Sequence, residues 1–87
     1  MLKVYKTVWC PHCSATIDFL RDHNIPFEMI DMDHVDPELE ARIVEVNGGE
    51  DWVVPTLEYR GKWRPGEVFN AEKLHEDLKK LGIHIPC

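Results

Sequence analysis

The first third of the chain sets a strand-like stretch, a helix-like stretch and a second strand-like stretch in a row. That order limits the fold more than any other feature. "LKVYKTV" (Leu2–Val8) is rich in Val and Tyr and reads as a β-strand. From Pro11, the residues Cys13, Ile17 and Leu20 recur at i, i+4 and i+7, one face of a helix. Asn24 tolerates the left-handed conformation and Pro26 follows it, so the helix should stop there. "PFEMIDM" (Pro26–Met32) then reads as a short buried strand. Two strands joined through one helix must lie parallel, and the crossover is right-handed.

The rest of the chain adds a different pattern. Asp36 is a good N-cap with Pro37 at the first helical position. Leu39, Ile43 and Val46 form that helix's apolar stripe, closed by "NGG" at Asn47–Gly49. "TLEY", Arg60-Gly61 and "KWR" read as a tight antiparallel hairpin. Asn70 then caps a last helix whose inner face is Leu74, Leu78 and Leu81, ended by Gly82. The expected order is β-α-β-α-β-β-α, an α/β fold with a four-stranded mixed sheet and helices on both faces. Its 87 residues suit one domain spanning 1–87 and no second one.

Charge narrows the partners. Sixteen acidic against ten basic residues give a formal charge of −6, which disfavours nucleic acid, whose phosphates need clustered Lys and Arg. No apolar run approaches the roughly 18 residues of a membrane span. Met1 leads straight into the first strand without the basic, apolar and small-residue succession of an export signal. The expectation is a cytoplasmic, monomeric protein with no membrane or nucleic-acid partner. In that setting a close cysteine pair is catalytic or metal-binding more often than a permanent staple.

Cys10-Pro11-His12-Cys13 is such a pair, and it opens the first helix. One C-x-x-C supplies two ligands, whereas a structural zinc site wants four. The five histidines show no H-x₃₋₅-H spacing, so no metal site is expected. Cys87, the last residue, reads as an exposed bystander. His23, His34, His75 and His84 show no partners in the sequence and are expected at the surface.

Trp9-Cys10-Pro11-His12-Cys13 after the first strand, Val54-Pro55-Thr56 before the hairpin, and this element order together resemble the glutaredoxin family. The likeness covers nearly the whole chain, and "NGGEDWVVPTLEY" is most similar to mycoredoxins and related bacterial glutaredoxin-like proteins. The resemblance implies a thioredoxin-like fold and a thiol–disulfide oxidoreductase. Its expected partners are disulfide-containing proteins, glutathione or another low-molecular-weight thiol as co-substrate, and a reductase flavoprotein. No tightly bound cofactor is implied. In that fold the proline matching Pro55 is cis and faces the active cysteine.

The chemistry explains why these residues stand here. Thiol–disulfide exchange needs a thiolate, and a free cysteine of pKa about 8.5 is mostly protonated at neutral pH. Cys10 should sit where unpaired N–H groups and the positive end of the helix dipole favour an anion. Pro11 fits the first turn without sacrificing a hydrogen bond, and His12 is expected as a second cation or donor. Cys13, one turn further in, should be more buried and resolve what Cys10 captures. Pro-His is also the dipeptide of strongly oxidising disulfide-forming proteins, so the pair should be less reducing than a typical thioredoxin.

Around the pair, the resemblance implies substrate- or thiol-binding roles for Lys6, Thr7, Trp9, Val54, Pro55, Thr56 and Gly66. Thr7 stands where typical glutaredoxins have a cation that meets a glutathione carboxylate, as in the mycoredoxin pattern. Pro65-Gly66 replaces the usual glycine pair, and Gly66 should let a ligand backbone approach closely. "KWRPGEVF" (Lys62–Phe69) also resembles a segment of redoxins that serve ribonucleotide reductase and draw electrons from thioredoxin reductase. A bridged iron–sulfur cluster, which some glutaredoxins hold, is the remaining alternative, and Pro11 disfavours it.

Overall fold

A computed structural model describes residues 1–85. Cys87 lies outside the described residues. Strands β1 (Leu2–Lys6), β2 (Phe27–Asp31), β3 (Thr56–Tyr59) and β4 (Lys62–Arg64) form one sheet in the order β2-β1-β3-β4. β1 runs parallel to β2 and antiparallel to β3, and β3 pairs antiparallel with β4. Helices α1 (Pro11–Asp22), α2 (Pro37–Val46) and α3 (Ala71–Leu81) complete the expected order. A short 3₁₀ turn at Met32–His34 links β2 to α2.

The two-residue period of the strands sorts the core into two layers. Leu2, Val4 and Leu57 face α1 and α3, where they meet Ile17, Phe19, Leu20, Leu74, Leu78 and Leu81. Tyr5 points the other way and packs with Met32 and Ile43 under α2. Half-buried Leu39, Val54, Trp52 and Trp63 flank that smaller layer, and Trp63 stacks on Tyr5 with ring centroids 5.7 Å apart.

Several local signals act as expected. Asn24 has φ 55° just beyond α1, and Arg60 and Gly61 both have positive φ, which a two-residue hairpin turn of this hand requires. The Asn70 side chain accepts the Lys73 N–H at 3.0 Å and caps α3, which ends at left-handed Gly82.

Three details differ. β2 is an edge strand whose Glu28 and Met29 are exposed, so its apolar run is only partly covered. Asp36 takes the N-cap position of α2 without a side-chain cap bond. Its carboxylate therefore helps that helix at most through the dipole. His23 has a partner: Nδ1 lies 2.8 Å from the Phe19 carbonyl, and the ring stacks on Phe19 at 4.1 Å.

Candidate active site

Cys10 occupies the N-cap of α1 in extended conformation, with Pro11 at the first helical position. A cap residue normally offers a side-chain oxygen to a free N–H of the first turn. Here the Cys10 sulfur fills that place and accepts the Cys13 N–H at 3.1 Å. That bond satisfies one of the otherwise unpaired N–H groups of the first helical turn. Cys10 and Cys13 are both free thiols, 5% and 1% exposed.

Cys13 is set up in the opposite sense. Burial pushes its thiol up to about 12, and hydrogen bonding to the Cys10 sulfur adds to that. The Thr7 backbone N–H and the Lys6 charge pull the other way without offsetting burial. The Cys13 thiol thus holds its proton, one helical turn inside a sulfur that caps the helix start.

The Val54–Pro55 peptide bond is cis. The Val54 carbonyl lies 3.8 Å from the Cys10 sulfur, a long S–H···O contact that places this loop across from α1. The third wall is the stretch from Pro65 to Asn70. Its Phe69 N–H donates to His12 Nδ1 at 3.1 Å, an arrangement that requires Nδ1 without a proton. His12 therefore serves as an acceptor for a distant loop, where the sequence suggested a cation or donor for the thiol. Val8 and Trp9, the two residues before Cys10, are 76% and 69% accessible, and Val53 and Val68 on the other two segments are exposed as well.

The other expected residues fall into two groups. Trp9 is exposed beside Cys10, the Val54 carbonyl faces the sulfur, and half-buried Lys6 ends β1 opposite Asp31. Thr7, Pro55 and Thr56 have buried side chains. The Thr56 hydroxyl turns inward to the Val53 carbonyl, and Thr7 contributes backbone, since its carbonyl accepts the Cys10 N–H at 3.5 Å. Gly66 is needed for a close approach, but by the chain itself. A Cβ there would stand 2.5 Å from the Val53 carbonyl oxygen. Asn47, read from sequence as a helix stop, bonds back to its own helix at Ile43 and out to two other segments at Thr56 and Gly66, and nothing in "NGG" announced it.

Among the described residues no cluster of three or more His, Cys, Asp or Glu could hold a metal. Among the same residues no helix is long and apolar enough to cross a membrane.

The family model for glutaredoxin matches residues 2–63, from the first strand through the cysteine pair and the cis-proline loop. The chain belongs to the glutaredoxin family. Solved structures agree with this glutaredoxin's fold. Glutaredoxin (grx-1) from Archaeoglobus fulgidus is 29% identical, with a TM-score of 0.66 over 86% of this chain and 82% of that one. The glutaredoxin-like NrdH-redoxin from Escherichia coli is 24% identical, with a TM-score of 0.64 over 86% and 91%. A buckwheat glutaredoxin–glutathione complex is 21% identical, with a TM-score of 0.66 over 93% and 72%. No significant relative was found among proteins of curated function. Family membership and the adjacent Cys10 and Cys13 make this glutaredoxin a thiol–disulfide redox protein in general terms.

Proposed function

We propose that the chain reduces protein disulfides, and mixed disulfides with a low-molecular-weight thiol such as glutathione, through its Cys10–Cys13 dithiol. The observation that carries this is the Cys10 sulfur at the α1 N-cap, accepting the Cys13 N–H beside a protonated Cys13 thiol. In the first step the Cys10 thiolate attacks one substrate sulfur. A mixed disulfide forms and the other substrate sulfur leaves as a thiolate. Cys13 then gives up its proton and attacks Cys10, releasing the second substrate thiol and leaving a Cys10–Cys13 disulfide. Two electrons have passed to the substrate, and an external thiol or a flavoprotein reductase returns them. The setting is a reducing, cytoplasmic one, with a monomer acting and no tightly bound cofactor.

The test is a pair of single substitutions. Cys10→Ser should abolish disulfide reduction. Cys13→Ser should accumulate a mixed disulfide on Cys10, visible as a mass increase in the intact protein. Equal residual activity in the two variants would contradict the assigned roles.

Burial of Thr7 favours a second reading of the electron source, because no side chain at that position reaches out to meet a glutathione carboxylate. In that reading NADPH with thioredoxin reductase, rather than glutathione with glutathione reductase, keeps the protein turning over. Supplying each system in turn separates the two.

A further inference from the structure

We infer that Asn47 is a positioning residue that orients the Val53–Val54 peptide for substrate backbone. The argument starts at the side-chain amide. Its Nδ2 donates to the Ile43 carbonyl at 2.8 Å and to the Thr56 hydroxyl at 3.0 Å, and its Oδ1 accepts the Gly66 N–H at 2.8 Å. Only one amide orientation satisfies a carbonyl on one side and an N–H on the other, so the network itself fixes which end is which.

The consequence runs through Thr56. A hydroxyl has one proton to give. With Asn47 donating to the Thr56 oxygen, that proton is turned to the Val53 carbonyl, which it meets. Gly66, drawn in by the same Asn47, lies so close that any side chain would strike the Val53 carbonyl. The Val53 oxygen is therefore held facing inward from two sides.

A trans peptide points its C=O and the next N–H in opposite directions. Holding the Val53 carbonyl inward thus turns the Val54 N–H away from this junction. That N–H has no partner among the described residues. The carbonyl of the same residue lies against the Cys10 sulfur. A disulfide attached to peptide backbone, attacked by Cys10, would find an aimed donor beside it. A disulfide without amide groups would gain nothing from it. Asn47 touches neither substrate nor sulfur and acts through Thr56 and Gly66.

This inference rests on the reading of Cys10 as the attacking thiol, and the experiment keeps the two apart. The reduced protein is mixed, in single turnovers, with oxidised glutathione, which carries peptide backbone, and with 4,4′-dithiodipyridine, which carries none. Asn47→Ala should slow the first reaction about tenfold, the scale of one oriented hydrogen bond, and leave the second within about twofold. Thr56→Val should reproduce the selective loss, and Thr56→Ser, which keeps the hydroxyl, should retain the wild-type ratio of rates. The double variant Asn47→Ala/Thr56→Val should lose no more than either single variant, because both cut one relay. An unchanged ratio in Asn47→Ala, a parallel fall in both reactions, or additive losses in the double variant would overturn the inference alone. A wild-type protein that reacts with neither disulfide faster than free cysteine would remove the proposed function, and this inference with it.

Discussion

The two faces of the sheet are built differently. Under α1 and α3, leucines, isoleucines and Phe19 close over Leu2, Val4 and Leu57 in one apolar layer. Under α2, the buried hydrophobic cluster among the described residues is Tyr5, Met32 and Ile43, and the neighbouring loop is tied down by the amide of Asn47 and the hydroxyl of Thr56. Apolar packing is non-directional and fixes where a helix sits. Hydrogen bonds fix which way a peptide group points. The cysteine pair rides on the first kind of support, and the cis-proline loop is aimed by the second. Position and aim are held by separate means.

The largest expected effect lies on the apolar side. With its thiol pushed up to about 12, Cys13 holds almost no thiolate at pH 8. In the reduced protein, iodoacetamide should modify it at least about a hundredfold more slowly than free cysteine, because only the thiolate reacts. Peptide mapping of the alkylated protein checks this. Comparable labelling of Cys13 and free cysteine would mean that the α1 face does not shield its sulfur.

Next comes the packing itself. Leu20 on α1 is fully buried, and Leu20→Ala should cost about 3 kcal/mol in urea denaturation, for lost transfer energy plus the cavity left behind. Under α2, Ile43→Val removes one methylene and should cost about 1 kcal/mol. Equal losses from Leu20→Ala and Asn47→Ala would erase the contrast between the faces.

A smaller effect comes from the charged corner between β4 and α3. The Arg64 guanidinium is buried and donates to Asp77 at 3.0 Å, while Lys73 reaches the same carboxylate at 2.9 Å and Glu67 lies 3.4 Å from Arg64. Burial pushes the Asp77 carboxyl up, but the hydrogen bonds from Lys73 and Arg64 outweigh it and hold it below the usual carboxylate range. A carboxyl lowered in the folded state lends its stability above the unfolded value of about 3.9, and loses it as pH falls through the folded value. Asp77→Asn should therefore destabilise the protein by about 2 kcal/mol at neutral pH. The gap to wild type should close as pH drops below about 3.9. A gap that persists in acid would assign the loss to packing rather than charge.

These regions were unequally legible in the sequence. The β-α-β order, the cysteine pair at a helix start, the Arg60-Gly61 turn and the Asn70 cap are local signals, each contained within a few residues. The polar ties are not local. Asn47 meets Gly66 nineteen residues away, and His12 meets Phe69 fifty-seven residues away. Asn, Gly and His suit many environments, so their types do not reveal these partners. The contacts of His12 with Phe69, of Gly66 with Asn47 and of Thr56 with Val53 therefore come to light only in the fold. β2 misled for a related reason, since an apolar stretch cannot announce that it will lie at a sheet edge.

The smallest expected effect tests the seam between the two kinds of support. Thr7 joins β1 to the cysteine helix and is buried, yet its hydroxyl has no hydrogen-bond partner among the described residues. Its backbone does the useful work, with the carbonyl receiving the Cys10 N–H and the N–H reaching toward the Cys13 sulfur. Valine keeps the shape and both backbone contacts while replacing the hydroxyl by a methyl group. Removing a buried, unpaired polar group relieves its desolvation penalty, so Thr7→Val should stabilise the protein by about 1 kcal/mol in urea denaturation. The slow alkylation of Cys13 should persist, because its causes are burial, the Cys10 sulfur and backbone. A loss of stability would mean that the hydroxyl finds a partner in solution, and that polar aim extends across the sheet to the helix carrying the thiols.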